Sequence, residues 1–363
     1  MINRIYINTA LSLACVFTIA GCGAEIRPDG PKRVVFTQPD GTQRIVETSP
    51  ATELREHAIN QLMTMTSDDA PEIRANAIEA LSSVKARVEP IVAIALTDSN
   101  DGVRSVAAMV AAREYLNSLA PSIRMLLNDS SPFVRASAMY ALNTFGEDID
   151  ISEISVLLLE HQNSRVRSHA AFILGELGET SAIPLLQNAL HEPLANASPI
   201  EKKLYWLQIS EALIKLGNEE RIDSIRAALY PSRPGDLEAT ALAVQIIGQL
   251  KDETSIDQLI YLSDPNSDTQ MPAEVRLGVA QALARMGHTE GAFVADEFMS
   301  SPIDTVRAQS ATVYGLTRGR GNLGNLEMMM LNDPSRLTQV AAAGAIIQYT
   351  HQQTARSSAE SRN

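Results

Sequence analysis

Apolar residues recur along this chain with the spacing of one helix face, and residues 164–190 show the pattern most clearly. One stripe runs through Val166, Ala170, Ile173, Leu174 and Leu177, at offsets 0, 4, 7, 8 and 11. Gly178 follows as a stop signal, and Pro184 fits the first turn of a second helix, where a missing N–H does little harm. The stretch therefore predicts a unit of helix, tight turn and helix.

The same unit recurs about every 31 residues from residue 50 to residue 350. Its marker is the dyad Val166-Arg167, and a small residue such as Ala170 usually follows four positions after the dyad begins. Counterparts of the dyad are Ile73-Arg74, Val103-Arg104, Val134-Arg135, Val275-Arg276 and Val306-Arg307, and weaker ones are Tyr205-Trp206, Ala239-Thr240 and Leu337-Thr338. A fixed period with a recurring helix pair predicts an all-α solenoid of about nine pairs.

These units resemble HEAT repeats, most clearly at 129–142 and 164–190, and their short period resembles the phycobilisome-lyase-type HEAT-like repeats of bacteria. The resemblance implies a right-handed α-solenoid whose second helices line a concave, protein-binding face. It also implies a structural role for the dyad arginines, which we expect to form a polar ladder with the upstream acids Asp101, Asp129 and Asp304.

The first 21 residues have the pattern of a secretory signal, with Arg4 before a short apolar run and small residues at its end. Residues 19–22 (Ile-Ala-Gly-Cys) resemble the lipobox of bacterial lipoproteins, in which the peptide is cut before a cysteine that carries the lipid. The resemblance implies that Cys22 is lipidated and that the chain is held on the extracytoplasmic side of a membrane. Gly23 favours the outer membrane in a cell that has one. The alternative is an uncleaved anchor helix.

Two further segments frame the repeats. Residues 22–49 form the expected lipidated tether, in which two β-prone runs flank Pro39-Asp40-Gly41 and predict a β-hairpin, either packed on the first helices or partly disordered. Residues 351–363 are polar without an apolar stripe, and we expect a disordered tail there.

Composition and motifs argue against several functions. The formal net charge of −13 disfavours binding to nucleic acid. Only two cysteines are present, Cys15 and Cys22, so the repeats can hold no disulfide or thiolate metal site. A single His-Glu pair, His191-Glu192, does not match the several pairs of HEAT-like di-iron hydroxylases. We therefore expect no enzyme activity, no cofactor and no metal.

The expected function is binding or scaffolding of a protein or peptide. Tyr205-Trp206 replaces the usual dyad and holds the only tryptophan; it either fills a bend in the stack or forms a binding hot spot. Other candidates for binding are residues off the apolar stripes of second helices: Gln187, Arg226, Tyr230, Tyr261 and Glu297. The alternatives are an enzyme or accessory subunit acting on an envelope component, and a structural envelope lipoprotein.

The anchor can be tested directly. Cys22→Ser should abolish incorporation of an alkyne fatty acid in growing cells, because cleavage leaves no other cysteine in the mature chain. Stable anchoring needs more than one acyl chain, and the variant has no cysteine to carry one at position 22. It should therefore also leave the membrane fraction. Cys15→Ser is the matched control and should be labelled like the natural chain. Continued labelling of Cys22→Ser would contradict the prediction.

Overall fold

The computed structural model describes residues 32–37, 43–48, 50–194, 196–268, 270–317, 319 and 321–360. The chain separates into two compact units, Met1–Pro50 and Ala51–Asn363.

The first unit contains two strands, β1 (Lys32–Thr37) and β2 (Gln43–Thr48). They pair antiparallel, with Lys32 opposite Thr48 and Thr37 opposite Gln43. The turn expected at residues 39–41, the signal segment and Cys22 lie outside the described residues.

The repeats form eighteen helices in the part of the chain that the structure describes. Their bounds are α1 Pro50–Met65, α2 Pro71–Ala80, α3 Lys85–Ala95, α4 Asp101–Arg113, α5 Ala120–Met125, α6 Pro132–Thr144, α7 Ser152–Leu159, α8 Ser164–Leu177, α9 Ile183–Ala189, α10 Pro199–Lys215, α11 Ile222–Ala227, α12 Leu237–Leu250, α13 Ile256–Ser263, α14 Ala273–Arg285, α15 Phe293–Phe298, α16 Asp304–Thr317, α17 Asn322–Asn332 and α18 Arg336–Glu360. The unit at 164–190 is confirmed: α8 ends before Gly178, whose φ of +75° is left-handed, and Pro184 lies in the first turn of α9.

The even-numbered helices, each opening with a dyad, form a closed ring. Each packs against the next one along the chain, and α18 packs against α2. The odd-numbered helices close in the same way: Gln61 of α1 donates to the carbonyl of Met330 in α17 at 3.1 Å, and Arg87 of α3 pairs with Glu56 of α1 at 2.7 Å. The repeats therefore form a ring of two layers, each with nine helices among the described residues.

The dyad helices are the inner layer. Beyond their first turns, Trp206 and His351 are the only exposed residues on them within the range whose burial the structure describes. The odd-numbered helices, in contrast, carry many exposed side chains, such as Ile94 and Met125. The expectation that the second helix of each pair lines the inside was wrong, because this ring places the first helices there.

Small residues set the spacing of the inner helices. A Cβ added to Gly175 would lie 2.9 Å from the Cα of Ala212, and one added to Gly248 would lie 2.7 Å from the Cα of Ala282. Ala170 is fully buried, as its place in the small-residue column predicts. Backbones at this distance leave no room for a larger side chain.

The dyad arginines clamp successive units together. Arg74 donates two hydrogen bonds to Asp98, and Arg104 donates two to Asp129, at 2.6–2.9 Å. Each guanidinium also binds the main-chain carbonyl six residues before it. A hydrogen bond from Arg104 holds the pKa of Asp129 below its ordinary value. Burial acts to raise the pKa of Asp98, but the hydrogen bond from Arg74 opposes it and the pKa is lowered overall. The expected ladder is thus present.

The acids in the ladder differ in part from those expected. For Arg74, Arg104 and Arg307 the partner is the aspartate that precedes the next unit, as in Arg307–Asp333 at 2.7 Å. Arg135 and Arg276 bind glutamates instead, Glu153 and Glu297, and Arg167 binds the carbonyls of His161 and Pro193. Asp129 was correctly assigned, whereas Asp101 and Asp304 take no part in a clamp among the described residues; Asp304 accepts from Ser335 instead. The three arginine–aspartate clamps therefore join units across their interfaces.

The seam of the ring uses a substitute clamp. In the last unit Gln339 takes the arginine's place, because it donates to the carbonyl of Asp333 six residues earlier. The dyad position is therefore Thr338-Gln339, and the expected dyad Leu337-Thr338 was one residue early. Arg336 reaches Asp68 at 2.8 Å and links the last unit to the first. Helix α18 then continues to Glu360, where a disordered tail was expected from residue 351.

The close packing of inner helices predicts opposite effects for two glycine substitutions. Gly248→Ala should destabilise the protein by about 1–3 kcal/mol, because its new methyl group would meet the backbone of α14. Gly278→Ala should stabilise it by up to about 1 kcal/mol, because the nearest atom there is a Val244 methyl at 3.8 Å and alanine favours the helix. Chemical denaturation measures both. Equal effects at the two positions would contradict the packing described here.

Candidate functional site

The ring encloses a lumen. Polar side chains of the inner layer line it, and several are only half-buried. These side chains are the only polar groups that a ligand inside the ring would meet among the described inner-layer residues.

One arc of the lumen wall carries paired charges. Arg113 of α4 lies 3.6 Å from Glu79 of α2, and Lys215 of α10 lies 2.6 Å from both Glu176 and Glu211. Burial raises the pKa of Glu79 to about 6, although Arg113 opposes this. Burial also opposes the charge of Lys215, but its two carboxylate partners raise its pKa overall. Both cations of this arc are therefore ion-paired, with three carboxylates between them.

The opposite arc is rich in amides. Helices α12, α14, α16 and α18 present Gln245, Gln249, Gln281, Gln309 and Gln348 at the same half-buried face, and Arg285 is the cation among the described residues there. The two arcs give the lumen a side of paired charges and a side rich in neutral hydrogen-bonding groups.

A chain of polar side chains links three inner helices. Ser105 of α4 contacts Ser137 of α6 at 2.8 Å, and Ser137 contacts Nε2 of His169 in α8 at 3.2 Å. His169 lies between the rings of Phe133 and Phe172, and burial lowers its pKa to about 4. It is a neutral, buried histidine. Among the described residues, no three His, Cys, Asp or Glu side chains are grouped to hold a metal ion.

A second candidate site is a groove on the outside of the ring. It has a volume of about 390 Å³. Leu190, Trp206, Leu207, Ala227 and Ala228 give it an apolar surface, and His191, Lys203, Ser210, Arg221 and Ser224 complete the lining.

Tyr205 and Trp206 take different roles, although they are neighbours in sequence. Tyr205 is fully buried, and its hydroxyl donates to the carbonyls of Leu158 and Ala189. Trp206 occupies the place of a dyad arginine and is 46% exposed in the groove. The interpretation as filler therefore applies to Tyr205, and Trp206 is available to a partner.

The other predicted binding residues lie on the outer helices or the turns after them, not on a concave face. Arg226 is bound to Asp252 at 2.6 Å, and Glu297 is bound to Arg276 at 2.7 Å, so both stabilise the fold. Gln187, Tyr230 and Tyr261 are exposed, and Tyr230 follows Ala228 of the groove by two residues. Their role in binding stays a prediction.

Sequence reasoning missed the lumen residues and Arg221. Lumen positions recur six and ten residues after each dyad begins, as Glu79 and Arg113 do, so the repeat alignment contains the signal. It was hidden because these columns vary in residue type from unit to unit. None of the helices in the described part of the chain has the length and apolar character needed to cross a membrane.

One repeat unit of the chain matches a known family. Residues 166–192, which form one unit, match the model of the PBS lyase HEAT-like repeat. Curated proteins give no match to this chain. The stack is thus all-helical and contains HEAT-like repeats.

Three solved structures illustrate the similarity. Human deoxyhypusine hydroxylase in complex with glycerol is 16% identical over 74% of this chain and 98% of its own, with a TM-score of 0.36. The CpcE and CpcF complex of phycocyanin lyase from a Nostoc species is 16% identical over 72% and 94%, with a TM-score of 0.35. The UNC-45 chaperone is 14% identical over 82% of this chain but only 43% of its own, with a TM-score of 0.34.

The buried histidine makes stability depend on pH. The unfolded chain binds a proton at His169 near pH 6.5, whereas the folded chain does so only near pH 4. Stability is therefore lost as pH falls through this window, by about 3 kcal/mol from this residue alone. His169→Gln should remove that loss. Urea unfolding of both proteins from pH 7.5 to 4 measures the loss of stability in each. Glu79 is present in both proteins, so its opposite effect cancels when the two profiles are subtracted.

The control for this measurement is exposed His351, whose substitution by glutamine should leave the profile unchanged. A profile of His169→Gln that runs parallel to that of the natural chain would contradict the prediction.

Proposed function

We propose that this protein is a lipid-anchored ring that binds or scaffolds a protein partner on the extracytoplasmic side of a membrane, without enzyme activity. The lipobox-like segment ending at Cys22 supports the anchor, and Gly23 favours the outer membrane. The right-handed sense of the stacked units is part of this proposal. The partner binds where the ring departs from its own repeat, at the groove of Trp206.

The exposure of Trp206 is the observation that carries the proposal. A dyad arginine at this position would be bound into a clamp, as Arg104 is by Asp129. The tryptophan leaves the position without a clamp and presents a half-exposed aromatic face beside Leu190 and Leu207. Large aromatic side chains that are partly buried in a groove contribute more binding energy than other surface residues.

The charge of the groove indicates what it binds. Its charged or titratable lining residues are all basic: His191, Lys203 and Arg221. Lys203 is paired with Asp236 at 2.8 Å, whereas Arg221 has no ion pair among the described residues. A basic groove in a chain of net charge −13 favours an acidic ligand. We infer a partner segment that places an apolar side chain against Trp206 and a carboxylate near Arg221.

Two neighbouring substitutions separate binding from folding. Trp206→Ala should weaken partner binding by at least about 2 kcal/mol and should lower folding stability by clearly less than the neighbouring change does. Tyr205→Ala, the matched control, should cost about 3–5 kcal/mol of folding stability, because a fully buried aromatic ring is lost. Thermal melts and a binding titration on both variants measure these effects.

The partner for the titration is obtained by photo-crosslinking in intact cells. A benzophenone amino acid at position 206 should capture it, and the same group at Met125, which is exposed on α5, should not. Arg221→Glu should reduce the capture and Arg165→Glu, outside the groove, should not. Equal capture from both crosslinker positions, or unchanged binding in Trp206→Ala, would refute the proposal.

A further inference from the structure

Arg285 is the unmatched cation of the lumen. It lies ten residues after the dyad begins at Val275, the same position that Arg113 and Lys215 hold in their units. Arg113 and Lys215 are both ion-paired, as described above. Arg285 has no hydrogen bond or ion pair to any described residue, and burial, with no opposing acid, lowers its pKa.

The neighbours of Arg285 show why it is unmatched. Arg113 is paired with Glu79, which lies on the preceding inner helix six residues after its dyad begins. Lys215 is paired with Glu176, which lies on the preceding inner helix ten residues after its dyad begins, and with Glu211, four residues earlier on its own helix. The equivalent positions around Arg285 hold, in the same order, Gln245, Gln249 and Gln281.

The replacement of acids by amides keeps the hydrogen-bonding capacity and removes the negative charge. A glutamine side chain has two N–H donors and one acceptor, so it can complete the coordination of an anion, which a glutamate cannot. Gln281 lies four residues before Arg285 on the same helix, so the two side chains share one face. Among the described residues, the positions that hold acids around Arg113 and Lys215 therefore hold amides around Arg285.

We propose that Arg285, with Gln281, forms a binding site for an oxyanion, a carboxylate or a phosphate, inside the lumen of the ring. The planar guanidinium offers paired N–H donors that match two oxygens of either group. The half-buried wall excludes part of the water that weakens such pairs on an open surface. A bound anion would supply the charge that acids supply at Arg113 and Lys215. This site is separate from the groove of Trp206 and does not depend on it.

The test is thermal unfolding of the full chain with added phosphate or succinate, against chloride at the same ionic strength. The natural chain should show a saturable rise in melting temperature with at least one of the two oxyanions. Arg285→Gln should weaken that binding by at least about tenfold, because it removes a charged hydrogen-bond donor. Arg165→Gln, which removes an exposed arginine near the start of α8, is the control and should bind like the natural chain.

The choice of anion identifies the ligand: a rise with phosphate alone indicates a phosphate, and one with succinate alone indicates a carboxylate. Without added oxyanion, Arg285→Gln should melt at or above the temperature of the natural chain, whereas loss of a structural arginine would lower it. Trp206→Ala should bind the oxyanion normally, so failure of the groove and of this site are distinguishable. No saturable rise in the natural chain, or an equal one in Arg285→Gln, would overturn the proposal.

Discussion

Closure of the ring is the constraint on which the rest of the structure depends. Nine inner helices must complete one full turn, so each unit rotates by about 40° relative to the last. Such a rotation needs short distances on the inside and longer ones on the outside. The contacts of Gly175 with Ala212 and of Gly248 with Ala282 provide the short distances on the inside. Side-chain volume at the interfaces therefore sets the curvature.

The arginine clamps fix the register of these interfaces more than they add to stability. A partly buried ion pair gains little over its desolvation, yet removing one partner leaves an unmatched charge and is costly. The planar guanidinium of Arg104 binds both oxygens of Asp129 and a carbonyl of its own unit, so it holds three segments at fixed distances. Where the clamp is absent, as at Trp206, the protein has surface available for another molecule.

Local features could be predicted from the sequence because one unit determines them. The end of α8 at Gly178, the start of α9 near Pro184 and the buried column of Ala170 all follow from spacing and residue type. Ring closure could not be predicted in this way. It is the sum of small rotations at every interface, and no single residue encodes it, so an open solenoid was the natural expectation.

The candidate sites were predictable only in part. The sequence singled out the pair at 205–206, but successive residues of a helix point about 100° apart, and sequence alone did not show which side chain faces the core. The last dyad was placed one residue early because Thr338 and Gln339 share neither type nor charge with Val and Arg. The lumen was missed because its columns have meaning only once the helices form a ring.

The seam between α18 and α2 also fixes how many units this protein can have. An open stack becomes longer when a repeat is duplicated and shorter when one is lost, since each unit contacts only its neighbours. In a closed ring, ten units would require about 36° at every interface and eight would require about 45°. The backbone contact at Gly248 and Ala282 leaves no slack for such a change. Copy number is therefore tied to the packing of all interfaces together, and duplication of a single repeat would separate Arg336 from Asp68 and open the ring.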